Sequence, residues 1–216
     1  MINTKVESSA IYFHELRMPL VALAKSNPEH VLEIGCAAGQ TLSYFKQRGA
    51  KYVAGVEISP EIAEIARTHR EVDKVIVGNI ETLSLDFSEQ FFDLIVAGHV
   101  IEHLVDPWAT LRKLYFLLKP QGQLIGALPN VRNQSVVLPL LLNGKWQYHD
   151  SGIMDWTHLR FFSSSTIAEL LVSTGFRVDA IVPEFAGPRS TRANNLTLGI
   201  FKHFLAYAYN FSATKI

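Results

Sequence analysis

Apolar residues are distributed along this chain in two alternating kinds of run. Short apolar stretches of strand length recur at 30–34, 51–57, 74–77, 91–97, 123–128 and 176–182. Between them, apolar positions return at helical spacing over 40–48, 60–69, 107–119 and 166–174, the period that places one stripe against a core. Phe91-Phe92-Asp93-Leu94-Ile95-Val96-Ala97 is nearly continuous in apolar character and reads as a central strand covered on both faces. Ser59-Pro60 opens one helix; Thr166-Ile167-Ala168-Glu169 reads as a capping box, and Gly175 as the stop of its helix. Residues 8–25 carry Ile11, Phe13, Leu16, Leu20 and Leu23 at helical spacing, interrupted at Pro19, so 1–28 is expected to be an N-terminal helical segment. A short helix is expected over 195–205, with Tyr207, Tyr209 and Phe211 forming a last strand hairpinned onto the sheet edge. Alternating strands and helices predict one α/β domain over 1–216, doubly wound around a mostly parallel sheet.

Past Pro129 the alternation loosens. Residues 130–143 read as an apolar helix or lid, and 144–162 gather Gly, Trp, Tyr, His and Asp without a period. A stretch of that length in a compact domain is usually functional, so 130–162 is the expected lid and acceptor region. A length of 216 residues suits one well-buried domain. Twenty basic against twenty acidic side chains leave no net charge, which gives no case for a nucleic-acid partner. The single cysteine, Cys36, is unable to staple the fold and fits a reducing, cytoplasmic setting. No secretory leader is expected at Met1–Glu7. The longest apolar stretch, Val136–Leu142, falls far short of the roughly 20 residues that span a bilayer.

The chemistry begins at the first strand, which runs through Glu33 into Gly35-Cys36-Ala37-Ala38-Gly39 and a helix. Strand, small-residue turn and helix make the nucleotide crevice of an α/β sheet. The phosphate fingerprint Gly-x-Gly-x-x-Gly is absent; the pattern is Glu33-x-Gly35-x-Ala37-x-Gly39. A carboxylate there repels a pyrophosphate and suits a ligand that is cationic near the loop. Glu57 ends the second strand, where it can accept both ribose hydroxyls, and Asn79 follows the third, within reach of an adenine amine. Ribose, adenine and a positive centre without phosphates describe S-adenosylmethionine.

These pieces resemble the class I S-adenosylmethionine-dependent methyltransferases over roughly 29–183. The resemblance rests on Val31–Gly39, Gly55–Ser59, Gly78–Glu81, Phe92–Val96, Glu102–Pro107 and Leu118–Leu124. It implies a seven-stranded sheet with an antiparallel last strand. It also implies that Gly35 and Ala37 line the methionine part, that Glu57 holds the ribose, and that Asn79 meets the adenine. Glu33, Cys36, Gly39, Ile58, Ile80 and Gly98 complete the expected cofactor contacts. Ala37 stands where the family has a middle glycine, and Asn79 where an aspartate is usual.

Catalytic candidates are His99, His103 and His158. His103 or His158 is expected to take the proton of an acceptor hydroxyl. His99-Val100-Ile101-Glu102-His103 also formally fits a zinc-peptidase pattern, but Asp106-Pro107 starts a helix just after it, against that chemistry. The segment is similar to Glu-x-x-Glu-His in ubiquinone-pathway and small-RNA methyltransferases, which holds magnesium. Here His99 replaces the first glutamate, and magnesium prefers oxygen donors, so no metal is expected. Leu128–Asn133 and Asp155–Phe162 resemble methyltransferases of polysaccharide biosynthesis. That implies a small-molecule or saccharide hydroxyl as acceptor, with Trp146, Tyr148 and Trp156 available for stacking. A ubiquinone-type phenol is the alternative acceptor. A non-catalytic cofactor-binding partner, with 136–142 and 198–211 as a homo-oligomer face, is the alternative class.

Overall fold

The computed structural model describes residues 16–25 and 27–216. In chain order these form α1 (Met18–Val21), β1 (His30–Ile34), α2 (Gln40–Gln47), β2 (Tyr52–Glu57), α3 (Pro60–Thr68), β3 (Lys74–Val77) and β4 (Phe92–Gly98). A 3₁₀ turn at Ile101–His103 follows, then α4 (Pro107–Leu117), β5 (Leu118–Pro129), α5 (Gln134–Asn143), α6 (Ser164–Ser173), β6 (Phe176–Glu184), α7 (Gly187–Leu196), α8 (Lys202–Leu205) and β7 (Ala208–Lys215). The sheet order is β3-β2-β1-β4-β5-β7-β6. The first five strands run parallel and β7 is antiparallel to both neighbours.

Side-chain alternation builds a core on each face. Along β1, Leu32 and Ile34 join Val56, Ile95, Leu111 and Leu171 on one face, while Val31 joins Val53, Leu94, Val96, Leu42 and Phe45 on the other. Fully burying each such aliphatic side chain contributes about 1.5–3 kcal/mol. The chain leaves β1 toward β2 and β3 on one side, while β4 lies on the other. The carboxyl ends of β1 and β4 therefore flank a switch point, the place where an open α/β sheet holds a ligand.

Several expectations need correction. Residues 1–15, with Ile11 and Phe13, lie outside the described residues. Pro19 starts α1 instead of interrupting a helix, because a missing N–H costs nothing in a first turn. The capping box lies three residues earlier than expected, between Ser163 and Thr166. The helix expected over 195–205 is two, α7 and α8, and α7 begins at Gly187-Pro188, well before the expected start. The last strand is not at the edge. β7 is inserted between β5 and β6, every residue of it buried, and β6 forms the edge. Tyr209 and Phe211 face one core, and Gly126 leaves the room: a Cβ there would sit 2.3 Å from the Phe211 ring.

Candidate active site

The loop after β1 is shaped by two close approaches. Gly35 has φ +67°, and a Cβ on it would fall 2.5 Å from Val100, in the loop leaving β4. Glycine is thus required twice there, for conformation and for space. Ala37 also sits in the left-handed region, at φ +46°, where a Cβ costs roughly 1–2 kcal/mol. Its N–H donates to Glu57 Oε2 at 3.0 Å, and Ser59 N–H donates to Oε1 at 3.0 Å. Glu57 is buried and thereby clamped between two loops, each oxygen keeping one lone pair for a ligand. Ile58, beside it, is 66 % exposed, an apolar face next to the carboxylate.

Glu33 is enclosed on the opposite wall. Burial pushes its carboxyl up to about 8, with a hydrogen bond from Thr41 pulling the other way and the nearby Glu57 charge adding to the rise. Its Oε2 has no hydrogen-bond partner among the described residues. A buried carboxyl in this state gains its charge when a cation arrives. Cys36 does not face the crevice: its thiol is buried against the place where Gly55 lacks a side chain. Burial, together with Glu33 and Glu57, raises the thiol, so it is inert packing. Gly39 starts α2 at φ +83°. Asn79 is exposed and its Oδ1 accepts Glu81 N–H at 2.9 Å. Ile80 is buried, and Gly98 is held close by Leu20 of α1.

The candidate catalytic residues separate into two groups. His99, with φ +56°, turns its Nδ1 to Glu102 Oε1 at 3.1 Å and stands outside the cluster that follows. Glu102, His103 and His158 each offer a ligand atom within 4.8 Å of the others. His158 reaches this place because the Glu102 carbonyl accepts the N–H groups of Leu159 and Arg160, at 2.9 and 3.0 Å. That pair of bonds docks the 144–162 stretch onto the 3₁₀ turn. His103 Nδ1–H donates to Thr157 O at 3.2 Å and His158 Nδ1–H to Ile153 O at 2.9 Å. A carbonyl only accepts, so both rings carry their proton on Nδ1 and leave a lone pair on Nε2. Glu102 is 1 % exposed, and its Oε2 has no hydrogen-bond partner among the described residues. Burial pushes the nearby Asp155 carboxyl up, but hydrogen bonds from Thr157 hold it below its ordinary value. Trp146 packs edge-on to Phe161, and Tyr148 stacks on Trp156 with centroids 5.1 Å apart.

The expectation that no metal binds here was argued from His99, and His99 is not part of the donor set. The donors brought together are Glu102, His103 and His158, the last contributed from 55 residues further along the chain. Nothing in the local spacing announces it; the only hint was the density of His, Asp and Arg in the loop.

A family profile described as a methyltransferase domain matches residues 10–181. The ubiquinone biosynthesis O-methyltransferase of Neisseria meningitidis is 26 % identical over 156 residues, 69 % of this chain and 64 % of that protein. The human mitochondrial ubiquinone biosynthesis O-methyltransferase is 27 % identical over 197 residues, 82 % of this chain and 52 % of its own length. The chain thus spans less than two thirds of the curated relatives it matches. Among solved structures, a possible histamine N-methyltransferase from Thermotoga maritima superposes with a TM-score of 0.68 at 21 % identity, over 99 % of this chain and 96 % of that one.

Proposed function

The chain belongs to the methyltransferase domain family, and on that premise we propose that it transfers a methyl group from S-adenosylmethionine to the hydroxyl of a small molecule or glycan. The cofactor, when bound, supplies an electrophilic methyl group on a positively charged sulfur. Glu57, with one lone pair left on each oxygen, fits the two ribose hydroxyls. Ile58 offers the adenine an apolar face, and Asn79 an amide at its edge. Glu33, orphaned and starved of charge, fits the cationic methionine end.

One observation carries the acceptor chemistry: two imidazoles with Nδ1 tied to carbonyls and Nε2 free, side by side at the exit of β4. An Nε2 lone pair so held can take a hydroxyl proton as the oxygen attacks, which typically contributes 10²–10⁴-fold. Backbone anchors fix each ring before any acceptor arrives, so little orientation remains to be lost. His99 holds Glu102 through its Nδ1. We expect His103→Ala with His158→Ala to lower kcat by about 10²–10⁴ while S-adenosylmethionine binds as before. Ordinary turnover by that double variant would refute the histidine base.

A second reading has its own support. Glu102, His103 and His158, each with one ligand atom within 4.8 Å of the others, make a donor set suited to a borderline divalent cation, which would orient the acceptor oxygen and lower its pKa. Chelator treatment followed by restoration with manganese, zinc or magnesium separates the two readings. For the acceptor, the names of the curated relatives favour a phenol, while the exposed aromatics Trp146 and Trp156 suit a sugar face. A panel of catechols and sugar nucleotides, scored by methyl transfer, decides between them.

A further inference from the structure

Two exposed apolar segments flank the acceptor side of the crevice, and the chemistry above uses neither. α5 leaves Leu141 and Leu142 exposed at 74 and 75 %, and the α7–α8 connection does the same with Leu196, Leu198 and Ile200, at 85, 90 and 77 %. Apolar side chains scattered singly are normal on a surface; alternate aliphatics along five consecutive residues are not.

The two segments share a seam. Asn130 Nδ2 donates to the carbonyls of His203 and Ala206, and Asn133 Nδ2 to those of Leu205 and Ala206, all but one at 2.8 Å. The start of α5 is thus bound to the end of α8, and both hang from paired strand ends, Pro129 of β5 opposite Ala208 of β7. From the end of α5, the Trp146–Phe161 and Tyr148–Trp156 contacts lead to the His158 loop. Tryptophan and tyrosine are the residues that favour a bilayer interface.

Charge identifies the occupant. Although the whole chain is neutral, no Asp or Glu occurs from 130 to 149 or anywhere after Glu184. Arg132, Lys145, Arg189, Arg192 and Lys202, within those same stretches, are all exposed. Exposed aliphatics on stretches whose charged side chains are all cations complement a surface with an apolar interior and phosphate at its boundary. A second copy meeting this face across a two-fold axis would set cation against cation. We propose that the α5 and α7–α8 rim docks on an anionic lipid bilayer surface, bringing the histidine cluster to an acceptor hydroxyl carried on a lipid. The docking stands by itself; the lipid-borne acceptor rests on the methyl-transfer reading.

The test is flotation of the full chain, loaded with S-adenosylmethionine, on phosphatidylcholine vesicles with and without phosphatidylglycerol. The protein should float only with the anionic vesicles and be released by added salt. At roughly fivefold for each basic residue near the surface, Arg189→Gln with Arg192→Gln should lower partition about 25-fold. Leu141→Glu with Leu142→Glu, or Leu198→Glu with Ile200→Glu, should abolish it. Calorimetric binding of S-adenosylmethionine, unchanged in every variant, separates loss of docking from loss of fold. No flotation on either composition, equal flotation on both, or indifference to all these variants overturns the proposal. So does a stable dimer that Leu141→Glu splits and that ignores vesicles. Intact flotation with no methyl transfer to any acceptor would instead sink the chemistry and leave the docking standing.

Discussion

Replacing Glu33 with glutamine should make the protein more stable and its cofactor site worse. The folded chain holds the Glu33 carboxyl at about 8 against an ordinary 4.5, chiefly through burial. Below the ordinary value both folded and unfolded chains carry the proton, so nothing is lost. Between 4.5 and about 8 the unfolded chain releases it while the folded chain keeps it, so stability falls as pH rises. Above about 8 both are ionised and the loss levels off. At roughly 1.4 kcal/mol per pH decade, the full interval amounts to about 5 kcal/mol, a ceiling that local relaxation reduces. Glutamine keeps the shape without the titration. Urea unfolding of both proteins at intervals from acid to alkaline pH isolates this group, because every other titration is shared. The stability difference should be small at the acid end and widen through neutrality in favour of Glu33→Gln. Parallel curves for the two proteins would refute the reasoning, since they would mean that Glu33 stays ionised in the folded state.

The same carboxyl predicts that S-adenosylmethionine binds more tightly as pH rises toward 8 and releases a proton on binding; calorimetry in buffers of different ionisation heat measures that release, and a zero value speaks against Glu33 facing the cationic end. Ala37→Gly should raise stability by about 0.5–1 kcal/mol, the left-handed strain removed less the greater freedom of glycine in the unfolded chain, as read from denaturant midpoints. Asn79→Asp should tighten cofactor binding roughly fivefold, because a charged acceptor adds about 1 kcal/mol over a neutral one and an aspartate can serve both Glu81 N–H and a ligand. Gly35→Ala should cost at least about 2 kcal/mol, combining strain at φ +67° with a clash against Val100; a well-folded, fully stable variant would show that this loop is softer than its packing suggests.

The parallel half of the sheet was legible because its strands are bracketed by turn chemistry and, β3 excepted, followed by a helix of matching period. That Glu33, Gly35 and Glu57 lie close together was legible for a related reason: the ends of neighbouring parallel strands sit side by side whatever the rest of the chain does. The far half was harder. β7 reads as an edge strand from its alternating aromatics, and only its pairing with β5 on one side and β6 on the other places it inside the sheet. The Glu102–His103–His158 cluster depends on two backbone hydrogen bonds to a single carbonyl across the sequence, and no local pattern encodes such a contact. That the Cys36 thiol turns inward, against Gly55, was not legible, because successive residues of a loop point in different directions.

The position of β7 has a consequence for how the chain is made. Among the described residues β6 has no sheet neighbour except β7, and in sequence β7 lies beyond it, past α7 and α8. As the chain leaves the ribosome at roughly 5–20 residues per second, β1 to β5 can assemble in step with synthesis. β6 then waits, one edge of β5 staying open, until residues 208–215 emerge and enter between them. For that interval the nascent protein presents an open edge of β5 and a wholly unpaired β6 at once, the form in which β structure aggregates most readily. Chaperone dependence should therefore be sharpest for chains stalled between β6 and β7.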